Sequence, residues 1–156
     1  VVTIQSLPPA FSDAFARYLF ERCGIPASPI SEQTVLSIGH CYVGIHGCPL
    51  RVEMDDQPAA IVPTPVEDGL VPVDRLLITA ASAFKQRLTV VLLSGANTGE
   101  QAGVRAVREN GGRIILRKRA SAMVAEPLDP VADADLADAE VNPAHLVESV
   151  IDGFDL

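Results

Sequence analysis

The stretch Leu88 to Val104, LTVVLLSGANTGEQAGV, decides how the chain folds. Leu88 to Leu93 is a continuous apolar run, which predicts a strand buried on both faces in a parallel sheet covered by helices. Ser94 to Glu100 is a turn of small residues punctuated by glycine. It opens a predicted helix from about Glu100 to Asn110 with Val104 and Val107 turned inward. Asn110-Gly111-Gly112 stops that helix, and Arg113 to Leu116 is the next strand. A β-turn-α-β unit of this length requires a right-handed crossover and parallel neighbours. Ligands in such folds collect at the carboxyl ends of the strands, so the floor of a cleft is expected at Ser94, Gly95, Asn97, Thr98 and Glu100.

Upstream, Val1 to Gln5 is β-branched and apolar, so the chain enters directly in a strand, and an earlier segment is expected before it. That strand ends at Gln5-Ser6, which puts Ser6 at the same edge as Asn97; the plainer role for its hydroxyl is to cap the Pro8-Pro9 turn. Phe11, Phe15, Tyr18 and Leu19 recur at helical spacing before Gly24, which predicts an amphipathic helix. Thr34 to Leu36, Cys41 to Ile45, Leu50 to Glu53 and Ala60 to Val62 are short runs between glycines and prolines. They predict strands or hairpins, partly antiparallel, inserted between the βα units. Asp74 is placed to cap a helix with Leu76, Ala80 and Phe84 on one stripe and Leu77 and Ala81 beside it. Beyond Arg119, prolines 127, 130 and 143 divide the chain into short helices, of which Pro143 to Ile151 is the best defined.

The 156 residues suit one domain, and an apolar fraction of 48% supplies enough material for its core. No apolar run approaches the roughly 20 residues of a membrane span, and no secretory leader is present, which predicts a soluble, cytoplasmic protein. Cys23, Cys41 and Cys48 are odd in number and lack CxxC spacing, so reduced thiols are expected. His40, His46 and His145 share no metal-binding spacing, although His46 lies near Cys41 and Cys48; no metal and no cofactor are expected. Val1 to Arg119 carries 12 basic and 11 acidic residues, whereas Ala120 to Leu156 carries no base and 9 acids. The net charge of −8 therefore lies in the last quarter and disfavours nucleic acid and anionic membrane. A solvated acidic surface is the favoured reading of that tail. The other is a fold-back onto Arg105, Arg108, Arg113, Arg117, Lys118 and Arg119.

A serine hydrolase needs a hydroxyl, a histidine to take its proton and a carboxylate to orient that histidine. None of the three histidines follows a clear strand, and there is no GxSxG turn, so the motifs alone support no triad. The turn at Asn97 to Glu100 is friendly to anions but lacks the lysine of a phosphate-binding loop and the GxGxxG of a dinucleotide fold.

Five segments in order resemble the C-terminal catalytic domain of the bacterial chemotaxis methylesterase (CheB-type) family. VVTIQSLPPAFSDAFARYL is similar to the family's second strand, Pro-containing turn and Phe-rich helix, and Gly39 to Leu50 to its VYIAPGGxHL strand. VPVDRLLITAA is similar to PSVDxLFxSAA, LLSGANTGEQAGV to LTGMGxDGAxGL, and ENGGRIIL to AGGxTIAQ. The resemblance implies a three-layer α/β domain over residues 1–156, with a mainly parallel, doubly wound sheet and a short antiparallel addition from Thr34 to Val62. It also implies that the first strand and nucleophile turn precede Val1. Members of the family hydrolyse receptor glutamate methyl esters, and some deamidate glutamines, with Ser, His and Asp. Here the histidine position holds Ser6 and the aspartate position holds Gly99, with Glu100 one place on. Three readings follow. The first is a catalytically degenerate domain that binds or regulates in chemosensory signalling through Gln5, Ser6, Ser94, Gly95, Asn97, Thr98 and Glu100. The second is an active esterase or deamidase whose serine lies upstream, and the third is a small-anion binder. A chemoreceptor or another chemosensory protein, and an N-terminal receiver domain, are the partners the resemblance implies.

Overall fold

The computed structural model describes residues 1–45, 47–54, 58–65, 69, 71–93, 101–121 and 128–153. Packing divides the chain into two units, Val1–Leu76 and Leu77–Leu156. Each has its own parallel three-stranded sheet.

In the first unit β1 (Val2–Gln5) leads through a short turn of 3-10 helix at Pro9–Phe11 into α1 (Ser12–Cys23). The helix stops at Gly24, whose φ of 68° lets its N–H bond back to the Phe20 carbonyl. β2 (Ala27–Pro29) and β4 (Cys41–Ile45) follow, and β4 is the middle strand, parallel to β1 on one side and β2 on the other. The expected segment Cys41 to Ile45 is therefore a strand of the parallel sheet, not of the antiparallel insert. That insert consists of β3 (Thr34–Val35), β5 (Leu50–Glu53) and β6 (Ala60–Pro63), with β6 paired antiparallel to both neighbours.

Helix α1 packs over β2 and β4, but not on the face that its aromatics predict. Ala16 is the buried residue, with Phe15 and Leu19 half-buried beside it, whereas Phe11 and Tyr18 are 57% and 52% exposed. A small side chain lets the helix approach the sheet closely, so Ala16 takes the contact, and the larger rings lie on the shoulder. There Tyr18 stacks on Phe15 and Arg22 lies over its ring.

Helix α2 (Pro72–Phe84) contains the boundary between the units. Proline takes its first position, where no N–H is needed, so Asp74 is the third helical residue and not the cap. Asp74 is buried, at 1% exposure, in the first turn, where the helix dipole favours a carboxylate. Leu76, Leu77, Ala80 and Ala81 are buried as their spacing predicts.

In the second unit β7 (Thr89–Leu92), α3 (Ala102–Glu109) and β8 (Arg113–Arg117) form the parallel unit read from the sequence, with β9 (Ala139–Val141) added beyond β8. Val104 and Val107 face inward at 1% and 0% exposure. The strand covered on both faces is β8 and not β7: Ile114, Ile115 and Leu116 are fully buried, while only Leu92 of β7 is. Among the described residues of this sheet β8 has a neighbour on each edge and β7 has one. Ile114 and Leu116 point into the core made by Val104, Val107, Leu128, Val131 and Leu136. Gly112 precedes β8 because a Cβ there would stand 2.8 Å from Val107 Cγ1 and 3.2 Å from the Leu88 carbonyl.

After β8 the chain forms α4 (Asp129–Asp133) and, past β9, a 3-10 turn at Pro143–His145 that runs into α5 (Leu146–Ile151). The short helices and the segment Pro143 to Ile151 are thus as expected. β9 is not legible in Ala139-Glu140-Val141; it is registered by Asp138, whose N–H bonds the Ile114 carbonyl while its carboxylate accepts the Ile114 N–H at 2.7 Å.

Gly44, in the middle of β4, leaves the space taken by Ile4 Cδ1 and Leu50 Cδ1, which would stand 2.6 and 2.9 Å from a Cβ. Gly44→Val overpacks that site and is expected to cost about 1–3 kcal/mol. In a thermal melt this lowers Tm by roughly 2–4 °C for each kcal/mol lost. An unchanged Tm shows that the two side chains repack without cost.

Candidate functional site

In the first unit the strand ends define one edge. Gln5 is in register with Ile45, so β1 and β4 finish together and Ser6 is the first residue beyond them, exposed. Its expected capping role belongs elsewhere: the hydroxyl that reaches the Pro9 carbonyl is Ser12 Oγ, at 2.8 Å. Gln5 is half-buried and its amide donates to Thr3 Oγ1 at 2.8 Å, two residues back on the same strand face. Beside this edge is a shallow apolar recess lined by Ile4, Ile45, Cys48, Leu50, Pro72 and Leu76, with space for about one water. The remaining expected site residues, Ser94, Gly95, Asn97, Thr98 and Glu100, lie outside the described residues, as do Gly99 and His46.

In the second unit the basic run Arg117-Lys118-Arg119 ends β8 and is engaged by the acidic tail. Arg119 pairs with Asp133 at 3.1 Å and lies 3.9 Å from Glu140, whose carboxylate also accepts the Arg119 N–H at 3.0 Å. Arg117 is bound by Ser121, and Lys118 is exposed. Arg113 and Arg108 reach the carbonyls of Ser149 and Leu136 at 2.6 and 3.2 Å. The tail therefore folds back on the basic residues, through main-chain carbonyls as much as through acids. The ion pairs stay wet, Asp133 being 70% exposed, and exposed pairs of this kind contribute about 0–1 kcal/mol.

Among the described residues, chemistry-bearing groups meet at a place that sequence spacing does not show. Ser28 Oγ and His40 Nε2 are 2.9 Å apart, at the amino end of β4 and so at the opposite end of the sheet from Ser6. The pairing depends on β2, a three-residue strand containing Pro29 that no periodicity reveals. Among the described residues no three His, Cys, Asp or Glu side chains cluster as metal ligands would, and no helix is long and apolar enough to cross a membrane.

Residues 1–150 match the sequence pattern of the CheB methylesterase family. The chain belongs to that family. It is 26% identical over 154 residues to a protein-glutamate methylesterase/protein-glutamine glutaminase of Trichodesmium erythraeum, covering 97% of this chain and 44% of that one. It is 31% identical over 125 residues to one from Methanospirillum hungatei, covering 80% and 35%. The chain thus spans less than half the length of these relatives. Its fold is that of the CheB methylesterase catalytic domain of Thermotoga maritima, with a TM-score of 0.85 at 21% identity, over 97% of this chain and 82% of that one. The mixed α/β architecture, with its parallel sheets and short antiparallel addition, is as the sequence predicts.

Cys23, Cys41 and Cys48 are free thiols, with Cys41 at the start of β4 the least accessible. Burial pushes the Cys41 thiol up from its ordinary value, which lowers its share of reactive thiolate at any pH below that value. Iodoacetamide at mildly alkaline pH, followed by peptide mass mapping, should alkylate Cys23 and Cys48 first and Cys41 last. Equal rates would contradict the protection given by β4.

Proposed function

We propose that this chain is a methylesterase-like domain of bacterial chemosensory signalling that has lost the family's hydrolytic chemistry and acts by binding or regulation. The observation that carries this reading is Ser6. It is the exposed residue immediately beyond β1, where the family pattern has histidine. A serine hydroxyl cannot take a proton from a nucleophile at neutral pH, and loss of one triad member removes roughly four to six orders of magnitude of rate. The sequence also puts Gly99 at the family's aspartate position, which leaves a carboxylate absent where an imidazole would have been oriented. The edge at Gln5 and exposed Ser6 is then a recognition surface for a chemoreceptor or another chemosensory protein. A receiver domain upstream is the natural source of regulation.

A second reading has specific support. The two relatives above are described as methylesterase and glutaminase and are more than twice the length of the matched segment, and among the described residues β1 is paired on one edge only. A strand upstream of Val1 could add to that open edge and bring a nucleophilic serine with it, as the first strand and nucleophile turn of the family do. Methanol release from methyl-esterified chemoreceptor by the full-length protein separates the two. Release at the uncatalysed rate, together with retained receptor binding, is the expected result. Turnover above background that disappears when an upstream serine is replaced would establish the active enzyme instead.

A further inference from the structure

The geometry points to Ser28 as a second nucleophilic centre, activated by His40, at the end of the first unit's sheet opposite Ser6. Ser28 is the middle residue of β2 and is in register with Tyr42 of β4, so the two side chains share a sheet face. His40, two residues before Tyr42, projects from the same face. Ser28 Oγ and His40 Nε2 are 2.9 Å apart, within reach for a hydroxyl to pass its proton to an imidazole. Both residues are half-buried, so the pair is neither sealed in the core nor fully solvated.

A base must also be held in place. His40 lies against the Tyr42 ring, with centroids 4.5 Å apart and planes 33° apart. That ring is pinned at its far end, because the Tyr42 hydroxyl donates to the Val35 carbonyl and accepts the Ser37 N–H, each at 2.9 Å. A fixed aromatic surface thus restricts the imidazole where a triad would use a carboxylate. Among the described residues no carboxylate is bonded to His40, so the pair lacks the third member of a triad. The ligand class that follows is a small activated acyl or phosphonyl electrophile, taken up once and not turned over. The Ser28 Oγ–C or Oγ–P bond forms, the bond to the leaving group breaks, and the hydroxyl proton goes to His40 Nε2 and then to water.

The site lies apart from the edge discussed above. Five residues of β4 separate them, roughly 17 Å at the rise of a strand. Its failure therefore leaves the proposed function untouched.

The test is labelling of the full chain with a fluorophosphonate probe and separately with p-nitrophenyl acetate, located by peptide mass mapping. The expected result is modification at Ser28 and not at exposed Ser31, the control hydroxyl, with a stoichiometric burst of nitrophenolate and no sustained turnover. Ser28→Ala should abolish the label. His40→Gln preserves a hydrogen-bonding side chain but not the base, and should slow labelling by about 100-fold or more. Circular dichroism melts establish that both variants remain folded. No label on Ser28 in the unaltered chain, or labelling of Ser28 as fast in His40→Gln, overturns the proposal and leaves the pair as a structural tie between β2 and β4.

Discussion

The placement of β4 between β1 and β2 is the constraint on which the first unit depends. A middle strand in a parallel sheet uses both edges for hydrogen bonds, so its side chains alone must meet the layers above and below. Tyr42, Val43 and Gly44 do this without exposing any of the three. Gly44 contributes by having no side chain: Ile4 and Leu50 close over it from the parallel sheet and the antiparallel insert. Because β4 is fixed in this way, the positions at its two ends are fixed as well. Ser6 is carried by the register of β1 on β4, and Ser28 meets His40 by the register of β2 on β4.

The second unit has the same arrangement around β8, with a different solution at its outer edge. Ala139-Glu140-Val141 has little intrinsic preference for a strand. The Asp138 main chain and side chain grip both polar groups of Ile114, which sets the register before the ladder begins. Arg119 then joins Asp133 in α4 to Glu140 within β9 itself. The pairs are too exposed to stabilise the fold much. Their effect is to direct an acidic segment toward the only basic run the chain carries at that point, so the charge imbalance read along the sequence becomes partly local neutralisation in the fold.

Periodic and punctuated segments were legible in the sequence, and segments fixed by a distant partner were not. Cys41 to Ile45 lies between Gly39 and Gly47, Leu50 to Glu53 starts directly after Pro49, and both coincide with their strands. α3 shows Val104 and Val107 on one face and stops at the glycines that follow it. β2 and β9 are three residues each and exist because a longer strand offers them an edge. The Phe11 and Tyr18 error has another cause. Aromatic residues dominate an apolar count, but the width of the gap between α1 and its sheet selected Ala16. Strand ends can be counted, so Ser6 stands immediately beyond β1 as its spacing predicts, while the expected site residues of the turn after β7 lie outside the described residues. The Ser28–His40 contact was not legible, because twelve residues separate the partners and only β2–β4 pairing joins them.

Retention of the scaffold with a different group at Ser6 is physically coherent. The core is made of residues such as Val43, Ile61, Ile115 and Val107 that are fully buried, and a change there costs packing energy whatever the protein does. Ser6 lies beyond the last hydrogen-bonded pair of its strand and is exposed, so replacement of one side chain by another at that position is of the kind that alters stability by about half a kcal/mol or less. Folding therefore places almost no restriction on what stands at the end of β1, whereas a proton-transfer mechanism restricts it to an imidazole. On the proposed reading, the requirement that has relaxed at the end of β1 is the chemical one, and the fold itself sets no obstacle to that change.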